Sequence, residues 1–323
     1  MQNTASDKGI RLLCAVLFLA FAFSWTYFFQ AGLLENAYST FAGKTGIRIP
    51  YNRLAMSLVL VLVSMLLTFP SRKIRFFKNG TLACHYILPA IFLGVVTSFN
   101  QSARAWIIAA VFVVLLAVVC RIVVSVPKPD IPERAFSGAI LIMVMLFILV
   151  AIIGNTDENL HRQLLIERYM AKGDYESALK VGRYEEESDE SIDMLRAKAL
   201  IATGQAGDEL FQYSICNPSA LADSLDNELS LLLRGDVMTF SNTLDLSSYS
   251  NLPKYFMQAM VLAGDQRVQE IYPEQYSDAS DLYNKFLNAL ESVKDFPRQY
   301  QANSTFITYH ETYYWFYYFK LQQ

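Results

Sequence analysis

The pattern of apolar and polar positions changes character once along the chain. In residues 1–154 apolar side chains form long, mostly apolar runs, at 12–29, 54–69, 82–98, 105–126 and 135–153; from 155 onward they recur every three or four residues between polar ones. A helix rises 1.5 Å per residue and the hydrocarbon core of a bilayer is about 30 Å thick, so a span needs about 20 mostly apolar residues. The chain therefore reads as all-α: about five transmembrane helices in 1–154, then a water-facing helical domain in 155–323. The second run is short and draws on Tyr51 and the stem of Arg53. The third carries His85, Pro89 and Gly94, which favour a kink or a re-entrant path. Only 100–104 separate the third and fourth runs, a connection brief enough to predict a tight helical hairpin.

Charge divides the chain at the same place. Residues 1–154 hold 13 Lys and Arg against 4 Asp and Glu, and 155–323 hold 14 against 26, so the parts carry +9 and −12. Short cytoplasmic loops gather Lys and Arg. Arg72, Lys73, Arg75 and Lys78 between the second and third runs are placed inside, with Lys8 and Arg11 at the N-terminus and Lys128 and Arg134 between the fourth and fifth. Five spans and an inside N-terminus put the acidic domain on the extracytoplasmic side; a miscounted span reverses that. Ala20-Phe21-Ala22 has the small-x-small form of a signal cleavage site, but the apolar character continues through Trp25, Tyr27, Phe28 and Phe29, which favours a retained first span. Acidic excess keeps a domain soluble, and no basic stripe points to nucleic acid. Glu185 to Glu190 reads as a solvated linker.

Candidate chemistry is sparse. Asp7, Glu35, Asp130 and Glu133 all lie outside the apolar runs, which disfavours an ion-coupled transporter with a buried carboxylate. His85 and Arg121 are the polar intramembrane residues; Arg121 is expected to snorkel to the headgroups and His85 to pack. His85, His161 and His310 are far apart, and Cys14, Cys84 and Cys120 lie in apolar runs with Cys216 alone in the acidic part, so no metal-ligand spacing arises. Neither a phosphate loop nor a nucleophile elbow occurs. No catalytic, cofactor-binding or metal-binding residue is nominated, and no cofactor. An enzyme acting on lipid-linked or surface glycans is the alternative, although 31–53 offers only Glu35, Lys44 and Arg48 as charged groups. A transporter or channel subunit is the third reading.

The acidic part carries a repeat. Leu164, Leu165, Tyr169, Ala178, Leu179 and Val181 flank the turn K-G-D-Y, in which Gly173 can close one helix and Asp174 cap the next. The stretch L-I-E-R-Y-M-A-K-G-D-Y-E-S-A-L-K resembles a tetratricopeptide repeat, with Leu165, Tyr169, Gly173, Tyr175 and Ala178 on matching positions. Gly182 stands where that pattern has a large aromatic, and no proline closes the unit. A second turn 31 residues on, A-K-A-L-I-A-T-G-Q-A-G-D-E-L-F, places Ala197, Leu200 and Gly204 correspondingly. A third is A-M-V-L-A-G-D-Q-R-V. With the helical pattern at 282–293, these predict an irregular solenoid of about four hairpins, an architecture whose concave surface commonly binds a partner. A stable helical fold without a dedicated ligand is the plain alternative.

The chain closes on T-Y-H-E-T-Y-Y-W-F-Y-Y-F-K, where Tyr313, Tyr314, Trp315, Phe316, Tyr317, Tyr318 and Phe319 leave a helix no polar face. Three fates are open to them: packing within the array, lying at headgroup level, or docking a partner. The spans with their aromatic F-F-Q, the repeat-like tail and the closing T-Y-Y-W-F-Y-Y-F together resemble a family of uncharacterised multispan membrane proteins from Bacteroidota. That resemblance implies a bacterial inner-membrane location and no activity; the family's membrane part is longer, so its span number is not carried over. The expected partners are the lipid bilayer and another protein or envelope component, with the oligomeric state open.

Overall fold

The computed structural model describes residues 3–46, 49–73, 82–99, 101–125, 132–183, 188–225 and 228–321. Arg75, Lys78, Lys128 and Glu185 to Glu187 lie outside the described residues, which are helical and contain no strand. The chain divides into two compact units, Met1–His161 and Arg162–Gln323.

Unit 1 begins with α1 (Asn3–Ser24), which continues through a π-helical turn (Trp25–Phe29) and bends at Gln30 into α2 (Ala31–Thr45). Next come α3 (Arg53–Leu66) and α4 (Thr68–Lys73), a 3-10 turn (Leu82–Tyr86) leading into α5 (Ile87–Val96), and the long helices α6 (Ala103–Ser125) and α7 (Pro132–Ile153). Among the described residues, four helical stretches are long and apolar enough to cross a membrane: Lys8–Phe29, Arg53–Ser71, Ala103–Ile122 and Phe136–Ile153. None contains a carboxylate.

The apolar run at 82–98 forms a shorter apolar helix, Ala83–Val96, than the four above. Its start is wound as a 3-10 turn, and its end is fixed at Thr97, whose hydroxyl turns back to the Leu93 carbonyl at 2.8 Å. The expected α5–α6 hairpin is also modified, because both helices pack principally on α7. The α7 sequence explains this: Ala139, Ile142, Met143, Leu146, Leu149, Val150 and Ile153 repeat at three and four and are all buried. By contrast α6 buries little beyond Ala109, Leu116 and Cys120 and turns Ile107, Val111, Val114 and Val118 outward, as a lipid-facing helix does.

Unit 2 contains α8 (Glu158–Ala171, which begins in unit 1), α9 (Tyr175–Lys180), α10 (Glu190–Ala202), α11 (Ala206–Glu209), α12 (Pro218–Asp223), α13 (Glu228–Arg234) and α14 (Val237–Thr243). It continues through α15 (Lys254–Ala263), α16 (Arg267–Ile271), the long α17 (Pro273–Ser292), α18 (Arg298–Tyr309) and α19 (Tyr313–Phe316). One large core, running from Leu179 to Phe316, is built from the inward faces of these short helices. A second core forms around Phe286, Leu290, Tyr309, Tyr314, Trp315 and Phe319.

Candidate functional site

The organising feature of unit 2 is one turn used four times. Gly173, Gly204, Gly235 and Gly264 fall at intervals of 31, 31 and 29 residues, each left-handed with φ between 69° and 75°. After each glycine the next amide reaches back across the helix end: Asp174 to the Tyr169 carbonyl, Gln205 to Leu200, Asp236 to Leu231 and Asp265 to Met260, at 2.8–3.1 Å. This bond satisfies a carbonyl that the helix leaves without a partner, and the left-handed residue favours glycine because a Cβ would crowd the carbonyl. Asp174 and Asp236 then cap the following helix, accepting from the Ser177 and Thr239 amides. Gln205 makes no such bond.

Gly173, Gly204 and Gly264 match the turns found in the sequence; the Gly235 turn was missed. Its L-L-L-R-G-D-V-M carries Leu and Arg where the other three have Ala at one of the two positions before glycine. The leucine spacing and the G-D pair were the available signal. Ala178, Ala197 and Leu200 are buried on the inward faces, Tyr169 and Tyr175 are half-buried, and Leu165 lies at the surface.

The fourth turn is braced differently. Asp265 accepts from Ser241 Oγ at 2.5 Å and pairs with Arg267 at 2.5 Å, while Arg267 also donates to the Ser241 carbonyl at 2.6 Å. The adjacent guanidinium holds the Asp265 carboxyl down at about 2. A contrasting group lies on α10. Asp193 accepts from Ser188 Oγ at 2.6 Å and the Cys216 amide at 2.7 Å, and burial pushes its carboxyl up. Arg196, also buried, donates to the Val181 and Gly182 carbonyls and lies over the Tyr213 ring at 5.1 Å. These bonds fasten the loops on either side of α10 to the helix. Gly182 is thus a turn whose carbonyl Arg196 holds, and the aromatic of the repeat pattern has no counterpart there.

The terminal aromatic run takes the first of its three fates. Tyr313 is fully buried; its hydroxyl donates to the Leu232 carbonyl at 2.8 Å and its amide to Gln258 Oε1 at 2.7 Å. Tyr314 donates to the Ala279 carbonyl at 2.9 Å, and Thr312 caps the short helix by accepting from the Trp315 amide. Tyr313 and Phe316 enter the main core, while Tyr314, Trp315 and Phe319 enter the second, so this segment joins the two. As docking candidates Tyr313, Tyr314, Trp315 and Phe316 are therefore corrected to core residues; Tyr317 and Tyr318 are half-buried. Burial raises the Tyr313 and Tyr314 hydroxyls above their ordinary range, which keeps them neutral donors. No family model, curated protein or solved structure matches the chain.

In unit 1 the structure assembles a polar collar that the sequence did not single out. Trp25 Nε1 donates to Thr97 Oγ1 at 3.2 Å, Gln30 Nε2 to the Asn155 carbonyl at 2.8 Å, and Gln101 Nε2 to the Gly154 carbonyl at 2.9 Å. The Asn155 amide bonds the Thr97 carbonyl at 2.8 Å, its side chain bonds the Phe99 carbonyl, and His161 Nε2 lies 3.0 Å from the Asn155 carbonyl. Backbone groups at helix ends otherwise lack partners, and here amide side chains supply them where the chain leaves the apolar bundle. Arg53 anchors the same end: Nε donates to the Tyr27 carbonyl at 2.5 Å, with the guanidinium over the Tyr27 ring.

The two intramembrane candidates stay apart from this collar. His85 is half-buried in the 3-10 turn. Arg121 is exposed on α6 one turn before its end at Ser125, as a snorkelling side chain requires. Near them the Cys84 and Cys120 sulfurs are 3.8 Å apart in the bundle interior. Among the described residues no group of three or more His, Cys, Asp or Glu is arranged to hold a metal.

Proposed function

We propose that this chain is a membrane-anchored interaction module: the apolar helices of unit 1 hold it in a bilayer, and the helix-turn units of unit 2 hold another protein or an envelope component. The observation that carries the reading is the fourfold recurrence of one left-handed glycine turn at about 30-residue spacing. Stacked helix pairs of this kind present extended surfaces suited to binding a partner, and the spacing supports a tetratricopeptide-like reading. In the same proposal Ala83–Val96 completes a set of five crossings, the N-terminus is cytoplasmic, and unit 2 faces the extracytoplasmic side of a bacterial inner membrane.

Topology is tested with alkaline phosphatase and green fluorescent protein fused after Gly154 and at Gln323. Phosphatase activity without fluorescence supports the orientation; fluorescence alone overturns it and turns the partner search to the cytoplasm. Partner binding is tested by crosslinking the full chain in native membranes beside a chain ending at His161. Crosslinks that need unit 2 and weaken on Met238→Glu or Ile271→Glu, both at exposed positions, support the reading. An unchanged crosslinking pattern in the shortened chain defeats it.

A further inference from the structure

Among the described residues, the surface of unit 2 is apolar in one place beyond scattered single residues. Phe296, Tyr300 and Ile307 are 50, 51 and 86% exposed. A spacing of seven residues puts Tyr300 and Ile307 on one face of α18, and Phe296, just before the helix, lies beside Tyr300. The Phe296 and Tyr300 rings stack with centroids 4.6 Å apart. Elsewhere in the unit, exposed large apolar residues such as Leu165, Ile201, Met238 and Ile271 come one to a helix.

Charge singles out the same end. Residues 162–281 hold 10 Lys and Arg against 21 Asp and Glu, a net −11, whereas 282–321 hold 4 against 3, a net +1. Lys285, Lys294, Arg298 and Lys320 are all exposed there, Lys294 in a solvent-exposed ion pair with Glu291. Arg298 is held at the surface over the Tyr318 and Phe319 rings, at 5.3 and 5.6 Å, and donates to the Tyr318 carbonyl.

We infer that this α18 face is a lipid-contact surface that inserts Phe296, Tyr300 and Ile307 among the headgroups while Lys294 and Arg298 meet lipid phosphates. Aromatic rings with basic neighbours are favoured at that depth. An anionic leaflet repels the −11 remainder of the unit and attracts this end. Membrane anchoring of the same chain keeps the surface at high effective concentration, so a weak contact is sufficient. The inference requires a bilayer-held chain and is independent of whether the repeats bind a protein.

The test uses the full chain with Cys216→Ser, reconstituted in phosphatidylglycerol–phosphatidylethanolamine vesicles and carrying a nitroxide at Ile307→Cys or, as reference, at Met238→Cys. Both are exposed positions that leave the core intact, and the other three cysteines are buried. The ratio of accessibility to lipid-dissolved oxygen over an aqueous nickel chelate is expected to be several-fold higher at 307 than at 238, and to fall on Lys294→Gln with Arg298→Gln. Equal ratios at the two positions overturn the proposal. A difference that disappears as the protein is diluted in lipid assigns the face to a second copy and overturns it equally.

Discussion

Glycine serves two opposite purposes, close packing in the bundle of unit 1 and turns in unit 2, although Gly46 of unit 1 is left-handed in open space and Gly207 of unit 2 packs close, a Cβ there falling 2.5 Å from Pro253. In unit 1, a Cβ on Gly94 would lie 2.7 Å from Ile153 Cβ, and one on Gly154 would lie 2.7 Å from both the Trp25 ring and Thr97 Oγ1. Neither glycine has a positive φ. In unit 2, Gly173, Gly204 and Gly264 are all left-handed, and a Cβ on any of them would meet nothing within 4 Å. The difference follows from the surroundings. Lipid supplies little drive for apolar helices to associate, so they gain by close contact, and small residues permit it. Unit 2 alternates apolar with polar positions, so burial supplies its drive, and its requirement is instead to reverse direction between short helices without leaving helix-end carbonyls unpaired.

The largest expected effect tests whether unit 2 also depends on one close contact. Tyr313→Ala removes a ring packed against Phe211 at 5.1 Å and leaves the Leu232 carbonyl with the Gly235 amide as its donor in place of two donors. A loss of about 3–5 kcal/mol is expected, read by denaturant unfolding of the full chain in detergent with tyrosine near-ultraviolet dichroism. Tyr313→Phe keeps the ring and should cost about 1 kcal/mol. Equal losses in the two variants would show that the hydrogen bond, and not packing, closes the array.

Next in size is unit 1. Gly154→Ala forces the new methyl against Trp25, Thr97 and the Val150 carbonyl, which lies 2.9 Å from it. Overpacking of this kind costs about 1–3 kcal/mol. Lower thermal stability in detergent, reported by Trp25 emission in a chain with Trp106→Phe and Trp315→Phe, is the expected outcome relative to the same background; an unchanged midpoint would mean that the collar has room to relax.

How much of this was legible depended on the distance over which each feature is determined. Runs of 18 or more apolar residues and three-four periodicity are local, so the long helices of unit 1 and the helical character of unit 2 follow from composition along a short window. Three glycine turns were legible because Gly with Asp or Gln beside it is a local rule. The short length of the helix at Ala83–Val96 was not, since Thr97 at its end turns back to the Leu93 carbonyl and also accepts from Trp25, 72 positions away. Gln30, Gln101 and Asn155 are unremarkable singly and become a collar only when three chain segments meet. Likewise Tyr313 is core because Gln258 and Leu232, 55 and 81 positions back, receive its amide and hydroxyl.

A smaller effect separates two carboxylates of unit 2 by pH. Asp265 is held at about 2 in the folded state against an ordinary 3.8, so its contribution is complete above about pH 4 and is lost as pH falls through 2. Its partner Arg267 is half exposed, which reduces the contribution to about 1–2 kcal/mol. Asp193 has the reverse sign: its raised carboxyl favours folding at pH below the ordinary carboxylate range and loses that advantage as pH rises through the raised value. Asp265→Asn should flatten the loss of unit 2 stability between pH 4 and 2, measured by hydrogen exchange at the Gly264 turn. Retention of the full acid-side loss would place its origin elsewhere.

The smallest effect, the difference between alanine and asparagine at a single glycine, distinguishes the two uses of glycine most directly. At Gly173 alanine has space but meets the left-handed penalty, about 1–2 kcal/mol, whereas asparagine tolerates that conformation and should recover part of the loss. At Gly94 the order reverses, because any side chain collides with Ile153 and the larger asparagine adds a polar group among apolar neighbours. Stability should therefore run Gly, Asn, Ala at 173 and Gly, Ala, Asn at 94, read by proteolysis of the full chain for the first and by thermal unfolding in detergent for the second. Asparagine falling below alanine at 173 would show that the turn is constrained by its neighbours as well as by φ, and the contrast between the units would narrow to one of degree.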